Sequence, residues 1–431
     1  MTALVMVLAM FALILINVPI AVALGIVSMV ALWYAQGFDS LLMSPITLFT
    51  GATNFPLIAI PLFVLAGALM NSTGISRRLI AFASALIGFV RGGLAMVNVA
   101  ASLFFAEISG SAVADVAALG SILMPAMKKR GYSKEFTAAI TSSSASLAII
   151  IPPSVPMILY AVYGDASVVQ LFVAGIVPGL IGAALMMGLA YWFAVRYGFP
   201  VEETFQLSRV WKTFKEAAWA FLLPIIILGG IFGGFVTATE GAGLAVFAAL
   251  FIGGVIYREL SLKELIDGLK DGAVQTAVVM LLVASSALLG QYLAASQMPQ
   301  RLALFMTELT QNKWVVLLLI NLLLLVLGCF LHGAAAIVLV VPLVMPIVNS
   351  VGIDPVHFGI VVTLNLAIGQ QTPPVASVLI AACSIAKSDI WQTTKVNMPF
   401  ILALLIVLLM CTYVPGISLI LVDFFYPGTI R

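Results

Sequence analysis

Two proline pairs interrupt otherwise apolar stretches of the chain, and polar side chains precede both. Serines are dense from Ser142 to Ser146, ahead of Ile151-Pro152-Pro153-Ser154, and Gly369-Gln370-Gln371-Thr372 stands directly before Pro373-Pro374. A proline pair removes two backbone N–H donors and disrupts the preceding helical turn, so nearby carbonyl oxygens lose their helical partners. Carbonyl and hydroxyl oxygens are ligands for small hard cations. The alternative for the serines is that small residues let helices pack closely.

Two short tips of small residues, Ser109-Gly110-Ser111 and His332-Gly333-Ala334, each separate a pair of apolar arms. A helix that begins at such a tip presents unpaired N–H groups and a partial positive charge, which favour an anion. Asp115, one turn past the first tip, would ligate a cation or bond a polar substrate. Its alternative role is an N-terminal helix cap. The tips and the proline pairs are therefore the candidate binding residues.

The residue inventory argues against most catalytic chemistry. The chain has two histidines, His332 and His357, and no GxxxxGK or HExxH sequence, so a nucleotide-binding loop, a zinc protease site and a histidine-dependent triad are not expected. Its three cysteines are far apart and form no CxxC pair, which predicts neither a disulfide nor a zinc site. A net charge of +2 gives no reason to expect a nucleic-acid partner.

The composition shows what kind of element must position these residues. Of 431 residues, 63% are hydrophobic and 8% charged, and the mean hydropathy is +1.21. These values exclude a water-soluble core and predict an all-α integral membrane protein. The first apolar run lacks the basic start and cleavage site of a signal peptide, so we expect it to be retained. The plain spans predicted from apolar length are 3–33, 54–72, 169–195, 217–235, 239–257, 271–294 and 397–422.

Further apolar segments are interrupted. The segments 133–165 and 354–386 contain the proline pairs and are predicted to be broken helices. The segments 92–128 and 313–349 flank the two tips with arms that are short for full spans, which favours re-entrant hairpins over the alternative of two plain spans each. The surface helices predicted ahead of the hairpins, with charges near their starts, are 76–91 and 299–312.

The two halves of the chain repeat one another. An offset of 223 aligns Arg78 with Arg301 and Gly110 with Gly333, and an offset of 221 aligns the two proline pairs. Glycines and prolines determine backbone shape, so a shared register of them predicts a shared fold. The predicted parts are a first repeat at 1–198, an amphipathic connector with a linking span at 199–236, and a second repeat at 237–431.

One linking span inverts the second half relative to the first. With a cytoplasmic N-terminus, sixteen of the nineteen Lys and Arg residues face the cytoplasm, and Arg301, Lys313 and Arg431 fall outside. The first hairpin then opens inward, the second opens outward, and the C-terminus is periplasmic. Tips and broken helices of both halves are expected to meet near the membrane midplane, which is the arrangement of a transport site.

Ionisable residues within apolar segments are further candidates because an unpaired charge in hydrocarbon is costly. Glu107, two residues before the first tip, either serves the site or pairs with the backbone. Glu240, in Thr237-Ala238-Thr239-Glu240, fits a helix cap better than a binding residue. His332 is either a proton switch or a tip residue near water.

Three motifs, Ser109 to Met127, Ile151 to Ser154 and Gly369 to Val375, together resemble those of the large membrane subunit of tripartite ATP-independent periplasmic (TRAP) transporters, in the ion transporter superfamily. Thr237 to Gly241 resembles a TPTEA element of that family, with Ala238 and Gly241 as departures. At the outer tip, His332-Gly333-Ala334 stands where the family often has an acidic residue, a small residue and threonine. Backbone carbonyls would then supply the ligands of that tip.

The resemblance implies a sodium-driven importer of an organic acid, such as a C4-dicarboxylate or sialic acid, that works by an elevator motion of hairpins and broken helices against a scaffold of plain spans. It implies a bacterial inner-membrane location and two partners, a small four-helix membrane subunit on a separate chain and a periplasmic substrate-binding protein. The alternatives are a self-sufficient sodium and carboxylate symporter of the same superfamily, a channel, and a structural membrane scaffold.

The candidate site residues fall into two overlapping sets. The predicted substrate-binding residues are Ser109, Gly110, Ser111, Asp115, Gln370 and Gln371. The predicted Na⁺ sites comprise Ser109, Gly110, Ser111, Ile151, Pro152, Ser154, Gly333, Gly369, Thr372 and Pro373.

Overall fold

The structure, a computed structural model, describes residues 3–16, 18–201 and 204–428. Among these residues the regular structure is helical, and the β-structure amounts to one isolated bridge between Arg91 and Val201. Eight of the described helices are long and apolar enough to cross a membrane by length and composition. The predicted all-α membrane architecture is confirmed.

The helices of the first half begin and end at recognisable local signals. The Ser133 hydroxyl accepts a hydrogen bond from the Phe136 N–H at 3.1 Å and starts α8, whereas Gly198, with φ +65°, ends α10. Short 3₁₀ segments at Phe55–Ile58 and Ser146–Ile149 adjoin α4 and α8. The helices are α1 (Ala3–Leu15), α2 (Ile20–Gln36), α3 (Asp39–Ala52), α4 (Ala59–Ser72), α5 (Ile75–Ile87), α6 (Gly93–Ser109), α7 (Ala112–Lys129), α8 (Lys134–Ala145), α9 (Val155–Tyr163) and α10 (Val168–Tyr197).

The second half uses stronger caps. Thr237 and Ser261 each form a capping box with a glutamate three residues later, and Asp354 accepts hydrogen bonds from the Val356 and His357 N–H groups. A π-helical turn, Ile252–Ile256, ends α12. The helices are α11 (Leu207–Phe232), α12 (Ala238–Phe251), α13 (Leu262–Ala295), α14 (Met298–Leu309), α15 (Lys313–Phe330), α16 (Gly333–Ser350), α17 (Pro355–Gly369), α18 (Ser377–Ala386), α19 (Ile390–Tyr413) and α20 (Pro415–Phe425).

Two predicted single spans are wrong, because each is two helices. The run 3–33 is divided between α1 and α2, and Pro19 is the N-cap residue of α2. The run 397–422 is divided between α19 and α20, which begins at Pro415. Proline lacks the N–H that would continue a preceding helix but suits the first position of a new one.

In the connector, two predicted elements form a single helix. We predict an amphipathic connector ahead of a span at 217–235, whereas α11 runs from the connector through the span as one helix. The helix α3 has no predicted counterpart, since Pro45 and several polar residues interrupt its apolar pattern. A proline within a helix removes one backbone hydrogen bond, which neighbouring turns tolerate.

The tips and the proline pairs occupy the turns that their residues predict. α6 and α7 are joined by Gly110 and Ser111, α15 and α16 by Leu331 and His332, and the two helices of each pair contact one another. The peptide bonds Pro152-Pro153 and Pro373-Pro374, both cis, lie between α8 and α9 and between α17 and α18. Each half therefore has one helix–turn–helix pair followed by one interrupted helix. Both α15 and α16 are long and apolar enough to cross a membrane, against the expectation that these arms are short, so the re-entrant insertion of the pairs stays a prediction.

Helix bounds follow the two offsets. Subtracting 223 carries α14 onto 75–86, within one residue of α5, and carries α13 onto 39–72, the combined bounds of α3 and α4. Subtracting 221 carries α16 onto 112–129, which are the bounds of α7. The halves therefore share the order and length of these elements. Their inverted orientation in a membrane stays a prediction, as do the domain boundaries.

The helices pack in two groups. In the first, which we call the outer group, α13 lies against α2, α3 and α4, and α12 contacts α4 and α11. In the second, the inner group, α8 lies against α6, α7, α18 and α19, while α17 contacts α9, α15, α16 and α19. The side chains of α17 are buried from Val356 to Gly369. A helix that is apolar on every face belongs in the interior of such a bundle.

An ion pair ties α5 to the loop that follows α12. Both terminal nitrogens of Arg78 donate to Glu259, at 2.9 and 2.8 Å, and the Arg78 guanidinium lies 3.8 Å from the centre of the Tyr257 ring. The hydrogen bond from Arg78 holds the pKa of the Glu259 carboxyl below its ordinary value. This bidentate geometry fixes the start of α5 against the outer group.

Candidate functional site

The two tips and the first interrupted helix meet around one small cavity of about 60 Å³. The first tip contributes Gly110, Ser111 and Ala112, and the second contributes His332, Gly333 and Ala334. Ile149, Val155 and Pro156 come from the first interruption, and Gln370 from the second. The outer group contributes Val64 from α4 with Gln275 and Val279 from α13. The cavity thus joins both halves and both helix groups.

Gly110 allows the first tip to touch the first interruption. Its φ is +58°, a conformation that glycine adopts without strain. A Cβ placed there would lie 2.8 Å from the Pro153 carbonyl oxygen and 3.2 Å from the Val155 nitrogen. No side chain fits that approach. Ser111 is the N-cap residue of α7 and lines the cavity, whereas the Ser109 side chain lies outside the described residues.

The predicted cation ligands of the first interruption are buried. Ile151 and Pro152 are in its loop, and the Ser154 hydroxyl donates to the Ile149 carbonyl at 2.7 Å. This bond closes the loop on itself and precedes α9. The Pro153 carbonyl oxygen of this loop lies beside Gly110.

The second tip makes the corresponding contact with the second interruption. A Cβ on Gly333 would lie 2.7 Å from the Gln370 amide nitrogen, and one on Gly369 would lie 2.6 Å from the Gly328 Cα. The Val375 N–H donates to the Cys329 carbonyl at 3.1 Å, which ties the loop to the end of α15. Gly333, Gly369 and Gln370 thus lie together, as the motifs predict.

Thr372 and Pro373 lie in the same loop, next to this contact. The Thr372 hydroxyl donates to the Ile368 carbonyl at 2.9 Å and is partly buried, and Pro373 is partly buried as well. Neither residue lines the cavity. Gly369, Thr372 and Pro373 therefore group around one turn set back from the cavity wall, whereas Gly333 lines the cavity.

Gln371 points away from the cavity into a polar cross-link. Its side-chain oxygen accepts from the Ser143 hydroxyl at 2.6 Å and from the Asn397 amide at 3.1 Å, and all three residues are fully buried. These hydrogen bonds join α8 of the first half to the loop after α17 and to α19 of the second. Its role as a substrate residue stays a prediction, and its observed contacts are between helices.

Asp115 is buried in the first turn of α7, where a carboxylate interacts favourably with the helix N-terminus. It does not line the cavity. The serines 142, 143, 144 and 146 are also fully buried and hydrogen bonded, and none lines the cavity. For the serines, this placement matches the packing interpretation.

Of the remaining ionisable candidates, Glu240 and Glu107 lie outside the cavity wall and His332 lies in it. Glu240 accepts a hydrogen bond from the Thr237 N–H at 2.8 Å and completes a capping box, which is the helix-cap role that its motif predicts. Glu107 is partly buried in α6. His332 is the N-cap residue of α16 and lines the cavity.

The motifs do not predict the cavity residues that come from the outer group. Gln275 and Val279 are on α13, within a predicted plain span. The Gln275 amide in a long apolar helix was the available signal, because polar side chains at membrane depth generally face protein or a cavity.

The cavity is suited to an anion. Three helices, α7, α9 and α16, begin at residues that line it, so their N-termini converge there. Each N-terminus carries unpaired N–H groups and roughly half a positive charge. None of the described lining residues is Asp, Glu, Lys or Arg. The arrangement therefore favours a negative group without placing a full charge in the wall.

Comparison with known proteins places the whole chain in one family. The family model described as the DctM component of the tripartite ATP-independent periplasmic transporter matches residues 7–417. An isethionate TRAP transporter permease protein, DctMQ, of Oleidesulfovibrio alaskensis is 42% identical over 94% of this chain and 64% of its own length. The sialic acid TRAP transporter large permease protein SiaM of Vibrio cholerae is 40% identical over 87% of this chain and 88% of its own length.

A solved structure shares the fold. The YdaH transporter of Alcanivorax borkumensis superposes with a TM-score of 0.61, covering 92% of this chain and 91% of the YdaH chain at 16% sequence identity. At that identity the likeness concerns the arrangement of helices alone.

Proposed function

Because the chain belongs to the DctM component family of tripartite ATP-independent periplasmic transporters, we propose that it is the membrane transport subunit of a sodium-driven, binding-protein-dependent importer of an organic acid. Its relatives are named as permeases, so it is a transport component and not an enzyme. The observation that carries the proposal is the convergence of three helix N-termini on one cavity between the halves.

The proposed substrate is a small organic anion. The N-termini of α7, α9 and α16 would hold its acidic group, and the Gln370 and Gln275 amides would bond its polar substituents. Relatives are named for isethionate and for sialic acid, both of which are anions. A carboxylate such as a C4-dicarboxylate or sialic acid is the proposed class.

Sodium would bind where each tip touches its interruption. The chemistry of the donors supports this, because main-chain carbonyls and hydroxyls are hard oxygen ligands. In the first half, Gly110 lies against the Pro153 carbonyl. In the second, the turn that contains Gly369 and Thr372 lies against Gly328. Ions at these contacts would hold the tips closed over the anion.

An elevator motion would move the inner group against the outer group. The tips and interruptions belong to the inner group, while Val64, Gln275 and Val279 belong to the outer group. The cavity therefore lies between the two groups, and a displacement of one past the other would carry the anion across the barrier. The N-terminus would be cytoplasmic and the C-terminus periplasmic, in the bacterial inner membrane.

Two partners complete the proposal. A small four-helix membrane subunit would extend the outer group, and a periplasmic binding protein would deliver the substrate. The chain matches 64% of the length of the relative named DctMQ, and the proposed small subunit would correspond to part of the remainder of that relative.

The test is uptake of candidate acids into proteoliposomes that contain this chain and its small subunit, with the cognate binding protein outside. We expect uptake only when both the binding protein and an inward sodium gradient are present. Uptake without the binding protein would identify a self-sufficient symporter instead, and gradient-independent flux in both directions would identify a channel.

A pair of threonine variants tests the sodium site. Thr372→Ala is expected to raise the half-saturating sodium concentration about tenfold, the loss of roughly one hydrogen-bond-sized interaction. Thr394→Ala is the matched control, because the Thr394 hydroxyl also donates to the carbonyl four residues earlier, at 2.7 Å, but belongs to α19 and not to the loop of the second interruption. Equal sodium dependence in the two variants would remove Thr372 from the site.

A further inference from the structure

A second cavity, of about 630 Å³, lies at one end of α10 and α19, away from the tips. Its wall includes Ser133 at the start of α8, Arg196 and Tyr197 at the end of α10, and Lys395 and Pro399 near the start of α19. α10 and α19 are both candidate membrane spans and contact one another. The cavity therefore lies where these spans meet the membrane surface.

The charge of this cavity is positive. Arg196 and Lys395 are its charged residues, and no acidic side chain is among the described residues of its wall. The neighbouring Glu135 lies 3.9 Å from Lys134. Two cations in one concave site attract an anion more strongly than either would alone on a flat surface.

The remainder of the wall is aromatic. Trp192, Phe193 and Tyr197 line it, and the Phe193 and Tyr197 rings stack with their centres 5.7 Å apart. The Arg196 guanidinium lies 5.1 Å from the centre of the Trp192 ring. Trp and Tyr favour the headgroup region of a bilayer, where one end of the ring is wet and the other apolar.

Apolar side chains continue from the cavity along the two spans. Val195 on α10 and Met398 and Leu402 on α19 are exposed on the protein surface. They extend in the direction that the hydrocarbon layer would occupy, since they precede Arg196 on α10 and follow Lys395 on α19. A ligand with a charged head and apolar chains would place its head in the basic cavity and its chains along these exposed side chains.

The other half of the chain lacks the same charge. An offset of 221 carries Gly131, Ser133 and Phe136 onto Gly352, Asp354 and His357, which line a cavity of about 170 Å³. There the Asp354 carboxylate stands in place of the Ser133 hydroxyl, and the described residues of the wall include one acidic and one basic residue, Asp354 and Lys313. The large basic cavity is therefore a property of the first half and not of the repeated fold.

We propose that this cavity binds the phosphate of an anionic phospholipid at the membrane surface. Arg196 and Lys395 bond the phosphate, Trp192 and Tyr197 flank the glycerol region, and the acyl chains lie along Val195, Met398 and Leu402. Positive residues concentrate on the cytoplasmic side in the threading of the chain, which assigns the lipid to the inner leaflet. The site does not depend on the substrate or the ion that is transported.

The experiment is native mass spectrometry of the intact, delipidated protein titrated with phosphatidylglycerol or phosphatidylcholine. The wild type is expected to retain phosphatidylglycerol in preference to phosphatidylcholine, and the double variant Arg196→Gln/Lys395→Gln to retain it at least about tenfold less. Lys212→Gln/Lys215→Gln is the matched control, because it removes two cations, one of them 5.3 Å from the centre of the Trp211 ring, outside the cavity. The control is expected to bind as the wild type does.

A second variant keeps both positive charges, Arg196 and Lys395, and reduces the volume of the cavity. Val396→Trp fills the cavity wall and is expected to lower phosphatidylglycerol retention while the protein stays monodisperse. Equal retention by the wild type and the glutamine double variant overturns the proposal, and so does equal retention of the two lipids. Competition by millimolar inorganic phosphate would also overturn it, because the site would then take free phosphate and not a lipid.

Discussion

Among single residues, Gly110 is the one on which the site geometry depends most directly. Gly110→Ala places a Cβ 2.8 Å from the Pro153 carbonyl oxygen and gives alanine a φ of +58°. The left-handed conformation alone costs about 1–2 kcal/mol, so the tip must move off the loop. We expect sodium-driven uptake to fall at least tenfold, measured in the proteoliposome assay.

Gly188→Ala is the control for this variant. Gly188 is exposed in α10, and a Cβ there would meet nothing within 4 Å. Since alanine is a better helix former than glycine, uptake and melting temperature are expected to match or exceed those of the wild type. If Gly110→Ala transported as well as Gly188→Ala, the tip contact would have no part in transport.

A second residue-scale prediction concerns a hydrogen bond that occurs in both halves. Asn98 accepts from the Ser144 hydroxyl at 3.1 Å, and the offset-related residues, Asn321 and Asn365, are bonded at 2.8 Å. Asn98→Ala would leave the buried hydroxyls of Thr141 and Ser144 without this partner. We expect the free energy of unfolding to fall by about 1–3 kcal/mol, measured by thermal or denaturant unfolding in detergent.

The exposed Asn349→Ala is the matched control and is expected to change stability by less than about 0.5 kcal/mol. Equal stability of the Asn98 and Asn349 variants would show that the repeated bond contributes nothing. Asn321→Ala should behave as Asn98→Ala does, because the two bonds occupy equivalent positions.

The sequence predicted backbone positions at this scale better than side-chain partners. Gly110 and Gly333 could be predicted, since a close approach demands a residue without a side chain. The hydrogen-bond partners of Gln371 could not be predicted, because the packing of α8 and α19 brings Ser143 and Asn397 to it. Gln275 was missed for the same reason, as only the packing of α13 against the tips brings it to the cavity.

At the scale of elements, the positions of proline and glycine determined which helix ends and turns could be predicted. Both interrupted helices, both helix–turn–helix pairs and their spacing follow from such residues. The breaks after α1 and after α19 were missed because a continuous apolar run hides a proline that only starts a new helix. The continuity of α11 was missed because a change from amphipathic to apolar pattern need not end a helix.

The ion pair of α5 provides a pH prediction for an element. The folded-state pKa of Glu259 is lowered from its ordinary value of 4.5, first by the hydrogen bond from Arg78. Its stabilising contribution is therefore present above about pH 4.5 and is lost as the pH falls through the lowered pKa. The Glu259 side chain is 33% exposed, so we expect a contribution of about 0.5–1 kcal/mol at neutral pH.

Glu259→Gln is expected to lower the melting temperature at pH 7 and to reduce the difference between pH 7 and pH 4. Glu308→Gln, an exposed glutamate on the other surface helix, α14, is the control and should keep the wild-type profile. A Glu259→Gln profile that followed the wild type across this range would show that the ion pair does not anchor α5.

At the scale of the whole molecule, two helix groups share one cavity. The inner group supplies three helix N-termini and the outer group supplies α4 and α13. Such a cavity serves both sides of the membrane only if the tips approach it from opposite faces. Transport through this cavity therefore requires that the two halves be inverted relative to one another.

Thiol labelling of two equivalent positions tests that claim most directly. Lys129 and Ser350 are exposed at the ends of α7 and α16 and are related by the offset of 221. In a background with Cys329, Cys383 and Cys411 replaced, Lys129→Cys and Ser350→Cys would be treated with a membrane-impermeant reagent in sealed vesicles of each orientation. We predict labelling of Lys129→Cys only from the cytoplasmic side and of Ser350→Cys only from the periplasmic side. Labelling of both from the same side would contradict the account.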